Sequence, residues 1–433
     1  MALTLGEPTT RSVLVVTYHW THADGVGGLR VSKFAQYLPD HGWHPVVLTP
    51  TVRDSLGVGV RVVATGERDC LAFFRRSRPL IPQVSGRVGE GPLRSVSGLR
   101  RAVRELLTFP DDQRGWIKPA LAAGRRLLAE EPVEAVYSTS PPESAHLIAR
   151  RLAREAGVPW IADLRDPWSD DHYRDWSTWK RRSLRWLEGR VLSDADAIVT
   201  LSETWAEGLA RSHPDLADRV MVIPHGFDPT DYPVSSGPTR HKRLELLYTG
   251  RLHPRHQDPS VLFQALAELL AGGRLRPEQV RCRFYLMEGF EMVDVEALAT
   301  EYGVSACVER CAPVSHQEAL GLQQATTALL SVPWTGPRGE GCHTSKLFEY
   351  LGARRPILLL HAMEGEMSRL IRASGAGVLT TSVAEVKDCL LKWVTAIEHT
   401  GRLPYGGDGA VVNHYTRQAA TAALAELLDR LAA

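Results

Sequence analysis

The chain has 433 residues, 44% of them hydrophobic and 23% charged, with a formal charge of +1. That length suits two or three domains, and the near-neutral balance excludes a broad electrostatic grip on nucleic acid. The six cysteines, Cys70, Cys282, Cys307, Cys311, Cys342 and Cys389, form no CxxC pair and lack histidines at zinc-finger spacing, which indicates buried thiols in a reducing cytoplasm.

The first residues, "MALTLGEPTTR", lack the basic segment and apolar core of a secretory signal. No apolar run reaches the roughly 20 residues that a membrane helix needs. A soluble, cytoplasmic protein is expected. "SVLVVTYH" (12–19) is a short continuous apolar run, as in a strand buried on both faces of a parallel sheet. A glycine-rich loop, "ADGVGG", and a helical pattern, "LRVSKFAQYLPDHG", lead to a second such strand, "HPVVLTP". This is a βαβ unit. The alternation continues through strand "VEAVYSTS", helix "SAHLIARRLAREAG", strand "VPWIADLRD", helix "KRRSLRWLEGRVLSDA", strand "DAIVTLS", helix "ETWAEGLARS" and strand "RVMVIPHG". Such alternation predicts a doubly wound α/β domain.

Residues 228–243, "DPTDYPVSSGPTRHKR", are rich in Pro, Ser, Thr and charge and predict a linker. The alternation then restarts with "LELLYTG", "PSVLFQALAELLAGG", "RCRFYLMEG" and "VDVEALATEYG", and runs through short elements to "RPILLL". The expected domains are residues 1–233 and 244–405, both Rossmann-like. A closing segment, 406–433, ends in an amphipathic helix with Ala419, Leu424, Leu427 and Leu428 on its apolar face. Ligands of such sheets bind at the carboxyl ends of strands, so a cleft between two facing domains is the expected site.

Three stretches carry chemistry. In "DGVGGLR", Gly25, Gly27 and Gly28 permit positive φ and close backbone approach at a helix start, where free N–H groups can meet an anion or simply close the turn. In "LYTGRLHPRH", Arg251 stands just past a strand end, and Arg255 and His256 follow before a helix near Asp258. A guanidinium there can grip a pyrophosphate or remain in a solvated basic loop. In "TSKLFEYLGARRPILLL" (344–360), Thr344 or Ser345 is the expected N-cap. Lys346 then lies in the first turn, where the helix dipole disfavours a cation unless an anion is bound. Glu349, three residues on, can accept hydrogen bonds from ribose hydroxyls or pair with Lys346 on the surface.

Together these pieces resemble the GT-B glycosyltransferases, specifically the retaining family-4 type. The resemblance covers nearly the whole chain through "GGLRVSKFAQYLPDHGWHPVVLTP", "DAIVTLSETWAEGL", "VIPHGFDPTDY", "YTGRL" and "SKLFEYLGARRPILLL". It implies a GT-B fold with a final helix returned to the first domain. It also implies sugar transfer from a nucleotide donor with retention of configuration, with no cofactor and no metal. Donor binding would involve Gly27, Gly28, Arg251, Arg255, His256, Thr344, Ser345, Lys346, Leu347 and Glu349. His256 or Arg255 replaces the family's lysine, and Glu349 matches the second glutamate of an E-x7-E element. The first falls at Gly341, with Glu340 adjacent. Arg165, Asp163 and Asp166 occupy the place of a family histidine at the reaction centre. The same cluster can instead brace a loop. Ser138, Thr139 and Ser140 are the expected acceptor contacts. The acceptor is a glycan, a lipid-linked intermediate or a small molecule. A nucleotide-sugar epimerase or hydrolase, and an inactive GT-B partner subunit, stay open as alternatives. Finally, Trp176, Trp179 and Trp186 interleave with Arg181, Arg182 and Arg185. That helix either packs its aromatics on the core or lies peripherally on the anionic inner face of a membrane.

Overall fold

The structure is a computed structural model that describes residues 11–21, 26–52, 59–68, 98–174, 176–233, 240–287, 291–336, 341–342, 344–361 and 364–433. The chain forms two compact units. The first comprises residues up to Pro224 together with Arg417–Ala433, and the second is His225–Thr416.

The first unit contains β1 (Arg11–Val16), α1 (Val26–Tyr37), β2 (Trp43–Thr49), β3 (Arg61–Ala64), α2 (Gly98–Leu107), α3 (Ile117–Glu130), β4 (Ala135–Ser140), α4 (Ser144–Ala156), β5 (Trp160–Leu164), α5 (Thr178–Leu192), β6 (Ala197–Thr200), α6 (Glu203–Ser212) and β7 (Val220–Val222). Its sheet has the order β3-β2-β1-β4-β5-β6-β7, with every pairing parallel. The apolar runs explain this: Val13–Val16 and all of β4 and β5 are buried, as strands covered by helices on both faces must be. β5 and β6 are shorter than the quoted runs, because their polar ends turn into loops.

The second unit contains β8 (Leu244–Gly250), α7 (Ser260–Ala271), β9 (Val280–Leu286), α8 (Val295–Glu301), β10 (Val308–Cys311), α9 (His316–Ala325), β11 (Ala328–Ser331), α10 (Ser345–Ala353), β12 (Ile357–Leu359), α11 (Glu366–Ser374), β13 (Gly377–Leu379), α12 (Val383–Thr400) and α13 (Gly409–His414). Its sheet is also parallel, in the order β10-β9-β8-β11-β12-β13. Both sheets reverse their winding beside their first strand, the Rossmann pattern. The described cysteines are free, four of them buried and Cys311 half-buried.

The unit boundaries differ from the expected 233, 244 and 405. Residues 225–233 pack in the second unit, where Phe227 joins the core around Leu347 and Leu351. There Phe227 N donates to Tyr415 O at 3.0 Å, and a short parallel bridge pairs Phe227 with Thr416. The chain therefore passes between units at 224–225 and 416–417, next to this bridge. Composition marks 228–243 as linker because it is polar, but its first part is anchored by Tyr232 and by Phe227 just before it. Residues 234–239 lie outside the described set.

After the second crossing, α14 (Arg417–Ala432) returns to the first unit. Leu424, Leu427 and Leu428 are buried as expected, against Val31, Phe34 and Trp43. Ala420 and Ala425 complete the face, whereas Ala419 is only half-buried. Asp429 fixes the helix by accepting from Trp43 Nε1 at 2.8 Å and pairing with Arg11. Replacing Leu428 by Ala deletes a fully buried side chain, so urea unfolding should show a loss of about 2–5 kcal/mol.

Candidate functional site

In the second unit the winding reverses between β8 and β11, and the chemistry gathers at the carboxyl end of β8. Gly250 ends that strand at φ +103°, and a Cβ there would lie 3.2 Å from Lys346 Cε. The positive φ favours glycine, and Lys346 crosses directly over the strand end. Its ammonium stands 3.7 Å above the Tyr248 ring. It donates to Tyr248 Oη at 2.5 Å and to Arg251 O at 3.2 Å. Desolvation pushes Lys346 from 10.5 down to about 7, with Glu349 opposing the shift.

Lys346 and Glu349 do not pair with each other. The Glu349 carboxylate turns to α9, where Oε1 is 3.0 Å from His316 Nε2 and Oε2 accepts from Gln323 Nε2 at 3.3 Å. The same Gln323 amide donates to Thr249 Oγ1 at 3.0 Å, while its carbonyl oxygen is buried and accepts nothing among the described residues. Tyr232 donates to the Glu349 carbonyl at 2.5 Å and, with Phe227, abuts Gly352, so α10 is clamped from behind.

Thr344 is the N-cap residue of α10, with extended backbone, but its side chain makes no capping bond. The expectation of a Thr344 or Ser345 side-chain cap is thereby corrected. The Thr344 side chain thus leaves the N–H dipoles of the helix start uncapped. Leu347 needs a second correction. Its side chain is fully buried in the core beside Leu247 and Leu351, and its N–H already donates to Thr344 O at 3.0 Å. It supports the helix and does not face a ligand.

Arg251 is half-buried beside this cluster, and Arg255 is exposed at φ +67°. His256 stacks on Trp334, with centroids 4.2 Å apart and planes at 10°, and Thr335 N donates to its carbonyl at 2.6 Å. The loop that carries the basic residues is thus fixed by an aromatic stack. Glu340 lies outside the described residues.

In the first unit Asp163 is completely buried. It accepts from Arg30 Nε at 3.1 Å and Nη2 at 3.3 Å, from Thr139 Oγ1 at 3.0 Å and from Tyr137 Oη. A carboxylate saturated in this way is not available for catalysis, which corrects that assignment. Arg165 donates from Nε to Thr139 Oγ1 at 3.1 Å and to Ser140 O at 2.9 Å, and from Nη2 to Pro141 O at 2.7 Å. Its guanidinium lies against Gly27, where a Cβ would come within 1.8 Å of Nη1. Gly28 is pressed equally tightly on Thr21 O, at 2.0 Å. Both glycines are inside α1, and neither uses positive φ. Their smallness serves close approach to protein atoms, and Arg165 braces the loop after β4. Gly25 lies outside the described residues. Asp166 is half-buried just beyond β5.

The acceptor assignments are corrected in the same way. Ser138, Thr139 and Ser140 are all buried. Ser138 Oγ lies 2.8 Å from His146 Nδ1 and accepts from Trp160 Nε1 at 2.8 Å. Side chains alternate along a strand. Ser138 therefore points to the layer holding His146, and Thr139 to the opposite layer holding Asp163. His316, Gln323, Tyr248, Tyr232 and Trp334 were not found in the sequence, because each meets the site from a separate element with no local spacing to mark it. Among the described residues no group of three or more His, Cys, Asp or Glu side chains comes together to hold a metal.

Residues 27–226 match the family described as Glycosyl transferase 4-like domain. Along the full length the solved structures share both units. The chain has the GT-B fold, and its residues 27–226 are similar to a glycosyl transferase 4-like domain. Sucrose-phosphate synthase from Thermosynechococcus elongatus superposes on this GT-B chain with a TM-score of 0.62 at 14% identity, over 97% of this chain and 99% of that one. Anabaena HepE in complex with UDP gives 0.63 at 15% identity, over 97% and 100%. The D-inositol 3-phosphate glycosyltransferase of Corynebacterium jeikeium (strain K411) is 26% identical over 194 residues, 41% of this chain. The chain spans only 45% of the length of that relative in this match.

Two predictions test the site. Asp163→Ala leaves Arg30 buried without its anion, so it should cost about 3–5 kcal/mol in chemical unfolding, while pyrophosphate affinity of the second unit stays unchanged by calorimetry. Lys346 supplies a pH dependence. Its folded value is depressed to about 7, so from there up to 10.5 the unfolded chain holds a proton that the folded chain has lost, and stability rises with pH across that window. An anion reverses the preference by recharging the ammonium. Calorimetry between pH 7 and 9 should show pyrophosphate binding with proton uptake and falling affinity, with a slope approaching about tenfold per pH unit. Lys346→Met should abolish the slope.

Proposed function

We propose that the chain is a glycosyltransferase that moves a sugar from a nucleotide-diphosphate donor to a hydroxyl acceptor, with retention of configuration and without a metal ion. The observation that carries this reading is Lys346, a buried cation with no carboxylate partner among the described residues. A cation has been placed over a strand end at an uncapped helix N-terminus, desolvated, and kept apart from the carboxylate three residues away. Such an arrangement is costly unless an anion binds, and a departing nucleoside diphosphate is an anion of the right kind. The UDP and UDP-glucose complexes of Anabaena HepE support a nucleotide-sugar donor.

In this reading Lys346, Arg251 and the α10 N–H groups offset the charge of the diphosphate as the bond from the sugar carbon to phosphate oxygen breaks. His256 and Arg255 extend the basic loop, and Glu349, oriented by His316 and Gln323, receives the ribose hydroxyls. The protein's contribution is positioning and electrostatic stabilisation. The acceptor is a glycan, a lipid-linked intermediate or a small molecule, used on the cytoplasmic side. Among the described residues no helix is long and apolar enough to cross a membrane.

Turnover with a panel of UDP-, GDP- and dTDP-sugars tests the reading. The product anomer, identified by NMR, should match the donor, and activity should persist in EDTA. Arg251→Ala should weaken nucleoside diphosphate binding by about 1.5–3 kcal/mol, the range for a charge-assisted hydrogen bond. Unchanged affinity in the folded variant, or inversion of the anomer, would refute the corresponding part.

A further inference from the structure

The helix α5 has two unlike faces. Its inner face buries Lys180, Leu184, Glu188, Val191 and Leu192. Lys180 Nζ lies 3.7 Å over the Trp176 ring and donates to Thr108 O at 3.4 Å. Glu188, the only carboxylate of the helix, points inward, accepting from Ser169 Oγ at 2.5 Å and facing His213 Nε2 at 3.1 Å. The expectation that the aromatics pack on the core therefore holds for Trp176 alone.

The outer face carries Trp179, Arg182, Trp186 and Arg190, spaced i, i+3, i+7 and i+11, so they share one side of the helix. All four are exposed, Trp179 to 40% and Trp186 to 64%. The two indoles stand roughly 10 Å apart along the axis, seven residues at 1.5 Å each. The Arg190 guanidinium sits 5.6 Å over the Trp186 ring. Arg185 is exposed on the flank, beside Asp170 at 2.9 Å. The neighbouring α2 is fastened to the start of α5 through Glu105, which accepts from Ser177 N at 3.3 Å. Leu106 of α2 is 63% exposed, and Val103 is exposed as well. Two tryptophans left in solvent on one helix face are unusual, because large apolar side chains normally find cover.

We propose that this face docks the first unit on an anionic lipid surface. The charge decides between occupants. The outward side of α5 presents arginines and no carboxylate, which fits a phosphate-rich headgroup layer. Indoles with arginines beside them are the side chains that settle at the boundary between headgroups and hydrocarbon. The geometry of the first unit carries this inference independently of sugar transfer, although a lipid-linked acceptor would be presented at the same surface.

Co-sedimentation of the full chain with phosphatidylglycerol-rich vesicles and with pure phosphatidylcholine vesicles tests it. The chain should pellet with the anionic vesicles, less so as salt rises, and remain in solution with the neutral ones. Arg182→Gln with Arg190→Gln should weaken anionic partitioning by roughly 30-fold, at about 1 kcal/mol per arginine. Trp179→Ser with Trp186→Ser should weaken it while leaving the melting temperature and nucleoside diphosphate affinity unchanged. A chain that stays in solution with anionic vesicles, or binds both vesicle types equally, overturns the proposal. So does self-association in lipid-free sedimentation velocity that Trp186→Ser abolishes, since a second copy would then be the occupant.

Discussion

The guanidinium of Arg30 has no exposed surface, and the first unit is organised around satisfying it. Four donations leave it. Two go to Asp163 on β5, one goes to the carbonyl of Ile223 at 2.9 Å and one to that of Pro224 at 2.9 Å. One side chain of α1 thus fixes the helix to the sheet and fixes the point where the chain leaves the unit. The pairing must be complete, because a buried charge missing any partner costs several kcal/mol. Tyr137 and Thr139 finish the shell from β4, which explains why polar residues stand in an otherwise apolar strand.

Lys346 in the second unit is the opposite case. Its neighbours are an aromatic face, a hydroxyl and a carbonyl, none of which carries charge. Among the described residues no carboxylate pairs with this cation, and burial depresses its affinity for a proton. The nearest carboxylate in sequence, Glu349, is drawn away by His316 and Gln323. One buried cation therefore completes the fold, and the other is the one on which the proposed anion site rests. Exposed surfaces repeat the distinction. The arginines of α3 and α4 are matched by carboxylates such as Glu155, whereas those on the outer face of α5 flank indoles.

The glycines of α1 show how one sequence feature takes a different physical role once packed. "GVGG" after a strand suggests a phosphate cradle. Here Gly27 and Gly28 admit the Arg165 guanidinium and the Thr21 carbonyl. The proposed anion site in the second unit lies where no glycine-rich motif exists, at a helix start whose first turn holds a lysine.

The alternation of apolar runs and amphipathic helices determined two parallel α/β units by itself, because a strand covered on both faces must be apolar throughout. It also determined the return of α14, since Leu424, Leu427 and Leu428 need a surface to cover them. The helix start at Lys346 was legible because a cation in a first turn contradicts the local dipole. Other features were decided only by the tertiary structure. Burial of Ser138, Thr139 and Asp163 depends on which layer each side of β4 and β5 faces, and hydroxyls look alike in sequence whether inside or out. The unit boundaries at 224 and 416 depend on Phe227 and Tyr232 finding α10, more than a hundred residues away. Whether Lys346 pairs with Glu349 was settled by α9, which brings His316 and Gln323 to the carboxylate. Contacts between residues far apart in sequence leave no spacing to read, so local patterns could name the cation but not its separation from Glu349.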